Sequence, residues 1–219
     1  MIDWVIEAAE WVGVVAFAAA GAMIAAERRM DLFGILFLAG ITALGGGVIR
    51  DVLLGVIPPV MFYSYGYLTC AAAVGLVIFL LIRLFRGFYV RERDRVNRLI
   101  NLLDAIGLGV FAVLGTQSAM DAGYADNWFM VIFLGVTSGI GGGVLRDVMV
   151  GRVPFVLRKY VYAVAAIAGC LCHCILLKCG VNPAVSLIVS MLLVTVLRVL
   201  STVFRWRMPR ALKEEKNNS

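Results

Sequence analysis

Apolar runs of about twenty residues alternate with short polar breaks along almost the whole chain. A helix that crosses a bilayer needs roughly 20 apolar residues. The pattern predicts seven such helices, at about 6–26, 32–56, 66–85, 99–119, 128–151, 160–178 and 184–204. Basic residues collect in every second break: Arg28 and Arg29; then Arg86, Arg91, Arg93, Arg95 and Arg98; then Arg152, Arg158 and Lys159; then the tail with Arg205, Arg207, Arg210, Lys213 and Lys216. The breaks between them carry Asp121, Asp126 and the single base Lys178, and the stretch from Pro58 to Tyr65 carries no base. Cytoplasmic loops are the ones that gather Lys and Arg. The alternation therefore predicts an N-terminus outside and a C-terminus in the cytoplasm.

Composition changes the picture only by excluding alternatives. With 62% hydrophobic residues and a mean hydropathy of +0.95, the chain has more apolar surface than a soluble domain could hide, so the expected class is all-α and integral to a membrane. The acidic start, MIDWVIEAAEW, lacks the basic n-region of a cleavable leader. The net charge of +6 sits between the spans and gives no reason to expect a nucleic-acid partner. Five cysteines lie in or beside apolar segments and form no secreted disulfide framework. Four of the residues in 170–174 are chemically suggestive: Cys170, Cys172, His173 and Cys174. On a helix Cys170 and Cys174 share a face while the other two point elsewhere, so no metal centre is expected. His173 reads as a packed histidine, with pH sensing as the alternative. Tyr63, Tyr65, Tyr67, Trp128, Trp4 and Trp11 fit an interfacial aromatic belt. No nucleophile, base and orienting partner are spaced for catalysis, and an enzyme is not expected.

One stretch occurs twice. Residues 45–61 read GGGVIRDVLLGVIPPVM and residues 141–157 read GGGVLRDVMVGRVPFVL, identical at ten of seventeen positions. The shared residues include Gly45, Gly46, Gly47, Arg50 and Asp51 in the first copy and Gly141, Gly142, Gly143, Arg146 and Asp147 in the second. The similarity extends further: 13–21 (GVVAFAAAG) aligns with 107–115 (GLGVFAVLG) at an offset of 94, which pairs Phe17 with Phe111 and Glu10 with Asp104. Each copy holds three predicted helices. An odd repeat crosses the membrane in opposite senses, the inverted-repeat plan. The chain divides accordingly: a first repeat (1–90), a basic cytoplasmic linker (91–98), a second, inverted repeat (99–180), a seventh helix (181–205) and a polar cytoplasmic tail (206–219). Gly13, Gly21, Gly107, Gly109 and Gly115, with the alanines at 18–20, give helices one and four a small-residue face for packing inside the chain or for contact with another copy.

Glycine costs a helix interior about 1 kcal/mol relative to alanine. Three in a row predict that helices two and five break or kink at Gly45–Gly47 and Gly141–Gly143. A break exposes carbonyls that suit cations and starts a new half-helix whose first turn favours Asp51 and Asp147. Arg50 and Asp51 are adjacent and so point about 100° apart round the helix. The economical pairing is then across the repeats, Arg50 with Asp147 and Arg146 with Asp51, closing a polar constriction at mid-membrane. The competing reading is structural, with the glycines allowing close packing and the charges neutralising one another. Charged residues inside spans usually mark a pathway, and their duplication favours the pathway.

The paired GGGVIRDVLLG and GGGVLRDVMVG, each with a Pro three residues past its last Gly, resemble the bacterial branch of the trimeric intracellular cation (TRIC) channel family, and equally the glycine-transporter membrane domain. The resemblance covers about residues 5–205. It implies a homotrimer in membrane lipid with one hourglass pore per protomer. It also implies passage of monovalent cations, potassium chiefly or sodium, no cofactor, and a prokaryotic plasma membrane, the inner one where there are two. The alternative it implies is a secondary transporter of a small amino acid such as glycine. The lysine motif and lipid-binding lysines of eukaryotic members find no match here, so lipid gating is not implied.

Overall fold

The computed structural model describes residues 2–158, 161–204 and 206, and every regular element among them is helical. The α-helices are α1 (Ile2–Glu27), α2 (Leu32–Leu53), α3 (Tyr65–Leu84), α4 (Arg86–Arg91), α5 (Arg93–Ala119), α6 (Trp128–Met149), α7 (Phe155–Arg158), α8 (Tyr162–Lys178) and α9 (Pro183–Val203). Among the described residues six helices are long and apolar enough to cross a membrane: α1, α2, α3, α5 with the π turn that extends it to Tyr124, α6 and α9. The apolar α8 is shorter, at 17 residues. The stretch expected as a basic linker is largely helix, divided between α4 and the first turn of α5. Lys159 and the tail bases from Arg207 onward lie outside the described residues, as does Arg205.

The helix ends follow from local chemistry. The Asp31 carboxylate accepts the Gly34 amide at 2.8 Å and opens α2; the Asn127 side chain accepts the Met130 amide at 3.1 Å and opens α6. Such caps satisfy amides that have no partner inside the helix. Gly55 and Gly151 end α2 and α6 with φ of 76° and 66°, a left-handed turn that glycine enters without a Cβ penalty. Val56 then donates to the Asp51 carbonyl at 2.9 Å and Arg152 to the Asp147 carbonyl at 2.8 Å.

α1 and α5 form the most buried pair, and their contact is reciprocal. Phe17 of α1 and Phe111 of α5 stack with ring centroids 5.5 Å apart. A Cβ on Gly107 would fall 2.1 Å from the Phe17 ring, and one on Gly13 would fall 3.0 Å from Phe111. The small-residue face expected on these helices is thus spent on packing inside the chain. α3 lies at the periphery, with only Ala71 and Gly75 buried.

α2 and α6 run through their glycine triplets as unbroken helix, contrary to the breaks the sequence suggests. The reason is the solvent. A backbone group left unpaired in hydrocarbon costs several kcal/mol, more than a glycine costs a helix. What the triplets supply is proximity. A Cβ on Gly46 would sit 2.0 Å from the Ser138 carbonyl oxygen, and one on Gly142 would sit 2.1 Å from that of Thr42. Backbone meets backbone there, which only glycine permits. Between apolar helices in lipid, close packing is what drives association. Asp51 and Asp147 accordingly lie in the last turns of α2 and α6, not in the first turn of a new half-helix.

Candidate functional site

Two charged clusters flank the crossing of α2 and α6. The arginine of each motif follows the crossing glycine by one helical turn, and the helices run antiparallel. At 1.5 Å per residue the two arginines are therefore displaced in opposite directions and separated by about 12 Å along the axis. They do not reach across. Arg50 donates through Nε and Nη2 to Oδ1 of its neighbour Asp51, at 2.9 and 2.7 Å. Arg146 donates through Nε to Oδ1 of Asp147 at 2.9 Å and through Nη1 to Asp104 of α5 at 2.8 Å. The expected pairs Arg50–Asp147 and Arg146–Asp51 are absent among the described residues, and with them goes the single constriction they would close. Adjacent residues diverge at Cβ, but the arginine side chain is long enough to fold back over the aspartate.

Each aspartate has a second duty. Oδ2 of Asp51 accepts the Val60 amide at 3.0 Å, and Oδ2 of Asp147 accepts the Phe155 amide at 2.8 Å. The motif therefore ties the loop after each helix back onto that helix. A carboxylate near a helix C-terminus is unfavourable by itself; the guanidinium and the loop amide compensate. Replacing Asp51 with alanine is expected to release the 55–64 segment, read as faster protease cleavage there with α2 still protected.

The two clusters differ in access to water. Around Arg50 and Asp51 lies a cavity of about 60 Å³ lined also by Glu10, Gly47, Tyr67 and Phe111. Roughly 10–15 Å³ of such space holds one water, so several fit. Tyr67 donates to Glu10 on one side of it and packs its ring 4.8 Å from Trp11. Tyr67 therefore turns inward, whereas Tyr63, Tyr65 and Trp4 are exposed as a belt residue would be. The corresponding space beside Arg146, Asp147 and Tyr162 has a volume of about 0 Å³. Arg146, Asp147 and Asp104 are fully buried there. A Cβ on Gly143 would find the Tyr162 hydroxyl at 3.4 Å, Arg146 Nη2 at 3.6 Å and Asp104 Oδ1 at 3.8 Å. Arg198 of α9 stacks its guanidinium 4.4 Å from the Tyr162 ring centre. Beyond this dry cluster, Arg152 reaches Glu27 of α1 at 3.3 Å. Outside the spans, Tyr89 of α4 donates to the Met23 carbonyl at 3.1 Å, and burial, then the Glu27 carboxylate, push its hydroxyl up to about 12.

Of the residues singled out from sequence, Gly45, Gly46, Gly141 and Gly142 form the crossing, Gly47 and Gly143 face the clusters, and the four charges divide two and two. Glu10, Tyr67, Asp104, Tyr162 and Arg198 complete the clusters. Asp104 and Arg198 carried a usable signal, a charge inside an apolar span. The tyrosines carried none. His173 lies elsewhere, buried, 2.8 Å from Ser186 Oγ and 2.9 Å from Gln117 Oε1, near the far end of α8.

Residues 7–83 and 101–178 each match the glycine transporter family. The chain is 35% identical over 199 residues to the UPF0126 membrane protein YvgT of Bacillus subtilis, covering 90% of this chain and 92% of that one. It is 34% identical over 196 residues to a UPF0126 membrane protein of Vibrio cholerae, covering 90% and 77%. A UPF0126 inner membrane protein of Escherichia coli, YadS, is 35% identical over 162 residues, 74% of each chain. Solved structures share the fold, three of them TRIC channels. A TRIC cation channel has a TM-score of 0.81 and 36% identity, with 95% of this chain and 98% of that one covered. A prokaryotic TRIC channel crystallised in 0.5 M KCl has a TM-score of 0.84 and 30% identity, covering 94% and 99%. The TRIC orthologue from Rhodobacter sphaeroides has a TM-score of 0.82 and 29% identity, covering 92% and 99%.

Proposed function

The chain belongs to the glycine transporter family of membrane proteins and is similar in fold to TRIC cation channels, and on that premise we propose that it is a homotrimeric channel for monovalent cations, potassium chiefly, with one pore in each protomer. The observation that carries the reading is the match of the fold, over 95% of the chain, to a TRIC cation channel. The geometry agrees with it. A charged cavity with room for several waters opens at the end of the bundle where α1 begins, and a dry charged cluster closes the other end, with the glycine crossing between them. Inverted repeats are supported by the two separate family matches and by the reciprocal contacts Gly46–Ser138 and Gly142–Thr42. On this reading α8 crosses the membrane as a seventh span. The N-terminus lies outside and the C-terminus in the cytoplasm of a prokaryote, in the inner membrane where there are two. The clusters at Arg50–Asp51 and Arg146–Asp147, with the glycines between, line the pathway, and the permeant ion is potassium or sodium.

A second reading rests on the unequal access of the clusters, open at one end and shut at the other, as in a carrier caught facing one side. Its substrate would be a small zwitterion such as glycine. Recording from purified protein in planar bilayers separates the two. Discrete unitary potassium currents are expected; their absence, together with saturable glycine uptake into vesicles, would replace the channel with the carrier. Native mass measurement in detergent is expected to give three copies, and monomers alone would overturn the trimer.

A further inference from the structure

We propose that Glu10 selects cations over anions, holding a partly hydrated monovalent cation in the cavity beside Tyr67; this deepens the channel reading and rests on it. Three observations lead there. First, Glu10 has no basic partner within 4.0 Å among the described residues. Among the described residues its hydrogen bond comes from the Tyr67 hydroxyl, which orients the carboxylate without neutralising it. Second, the nearby guanidinium is already engaged. Arg50 places both Nε and Nη2 on Asp51 Oδ1 and leaves Glu10 as the surplus charge of a cavity with two carboxylates and one arginine. Third, the residue that aligns with Glu10 in the second repeat is Asp104, and Asp104 is consumed by Arg146 at 2.8 Å in a site with no room for water. Aligned carboxylates thus differ in availability, and only the one with room for water beside it carries unspent charge.

The cavity suits such an ion. Its volume of about 60 Å³ admits an ion with a few waters, not a fully hydrated one. One wall is apolar, from Val14 and Phe111, which keeps the local dielectric low and strengthens the pull of a single carboxylate. Glu7, exposed one turn nearer the N-terminus, adds negative potential at the approach. Carboxylates at a pore entrance are a recurrent means of favouring cations.

The test is the reversal potential of the purified full-length channel in planar bilayers under a KCl gradient. Glu10→Gln is expected to lower the cation-to-anion permeability ratio about fivefold or more. It should also lower conductance more at low salt than at high salt, because ions screen a fixed charge. Glu10→Asp keeps the charge and should keep most of the ratio; Tyr67→Phe keeps the charge but frees the carboxylate it orients, and should lower the ratio less than Glu10→Gln does. Where Glu10→Gln fails to assemble, Glu10→Cys labelled after reconstitution gives the same answer. A negatively charged thiosulfonate should restore the ratio and a positively charged one should depress it, with the unmutated channel unresponsive to both. A conducting parent whose ratio is unmoved by Glu10→Gln overturns the role of Glu10 and leaves the channel standing. A parent that conducts nothing overturns the channel itself, and the inference with it.

Discussion

Gly142→Ala will destabilise the protein severely, while Gly47→Ala will leave it as stable as before or slightly more so. A methyl on Gly142 lies 2.1 Å from the Thr42 carbonyl oxygen and 3.1 Å from its carbon. Both belong to backbone, so no rotamer change makes room, and α2 and α6 must separate. Overpacking typically costs about 1–3 kcal/mol, and a backbone clash belongs at the upper end. Gly46→Ala meets the Ser138 carbonyl in the same way and should match it. A methyl on Gly47 has Arg50 Nη2 at 4.0 Å as its nearest neighbour, so only the gain in helix propensity remains, up to about 1 kcal/mol. Thermal unfolding of purified protein in detergent reads the difference. Equal responses across the triplet would mean that the glycines serve flexibility and not the crossing.

The second large effect belongs to the dry cluster. Asp104→Asn leaves Arg146, fully buried, with Asp147 as its remaining anion and an amide in place of a carboxylate at 2.8 Å. Breaking a buried ion pair by removing one partner costs about 3–5 kcal/mol. Neutralising Arg50 should cost less, because its side chain keeps 14% exposure beside a cavity that admits water. A double-mutant cycle on thermal stability makes the contrast quantitative. Strong coupling is expected for Arg146 with Asp104 and for Arg50 with Asp51. Coupling near zero is expected for Arg50 with Asp147. A large Arg50–Asp147 coupling would bring the two clusters together and contradict the geometry.

Most of the architecture was legible in the chain because a bilayer leaves few choices: an apolar run of about twenty residues forms a helix. The doubled motif was legible as a unit: its glycines sit where the two halves meet, and its arginines and aspartates flank that crossing. Its geometry was not. Helix propensity, a quantity measured in water, suggested a break at Gly45–Gly47, where the bilayer enforces continuity. Symmetry alone made cross-pairing attractive, but the decisive facts were local. A side chain as long as that of Arg50 reaches its own neighbour, and Asp104 arrives from α5 at a sequence distance no spacing rule reports. Glu10 and Asp104 aligned in the sequence, yet which of them is neutralised depends on Arg146 reaching one and Arg50 missing the other.

The length of α8 has a consequence for the surrounding lipid. Seventeen residues at 1.5 Å each make a rod of about 26 Å. The hydrocarbon layer of a typical bilayer is about 30 Å thick. For α8 to cross, the leaflets beside it have to draw together by several ångströms, at a modest elastic cost per ångström of mismatch. Tyr162, which begins α8, also begins the wall of the Arg146–Asp104 cluster. On the seven-span reading the bilayer is therefore drawn thinner beside α8, along the flank of the protein whose charges are most deeply shut away.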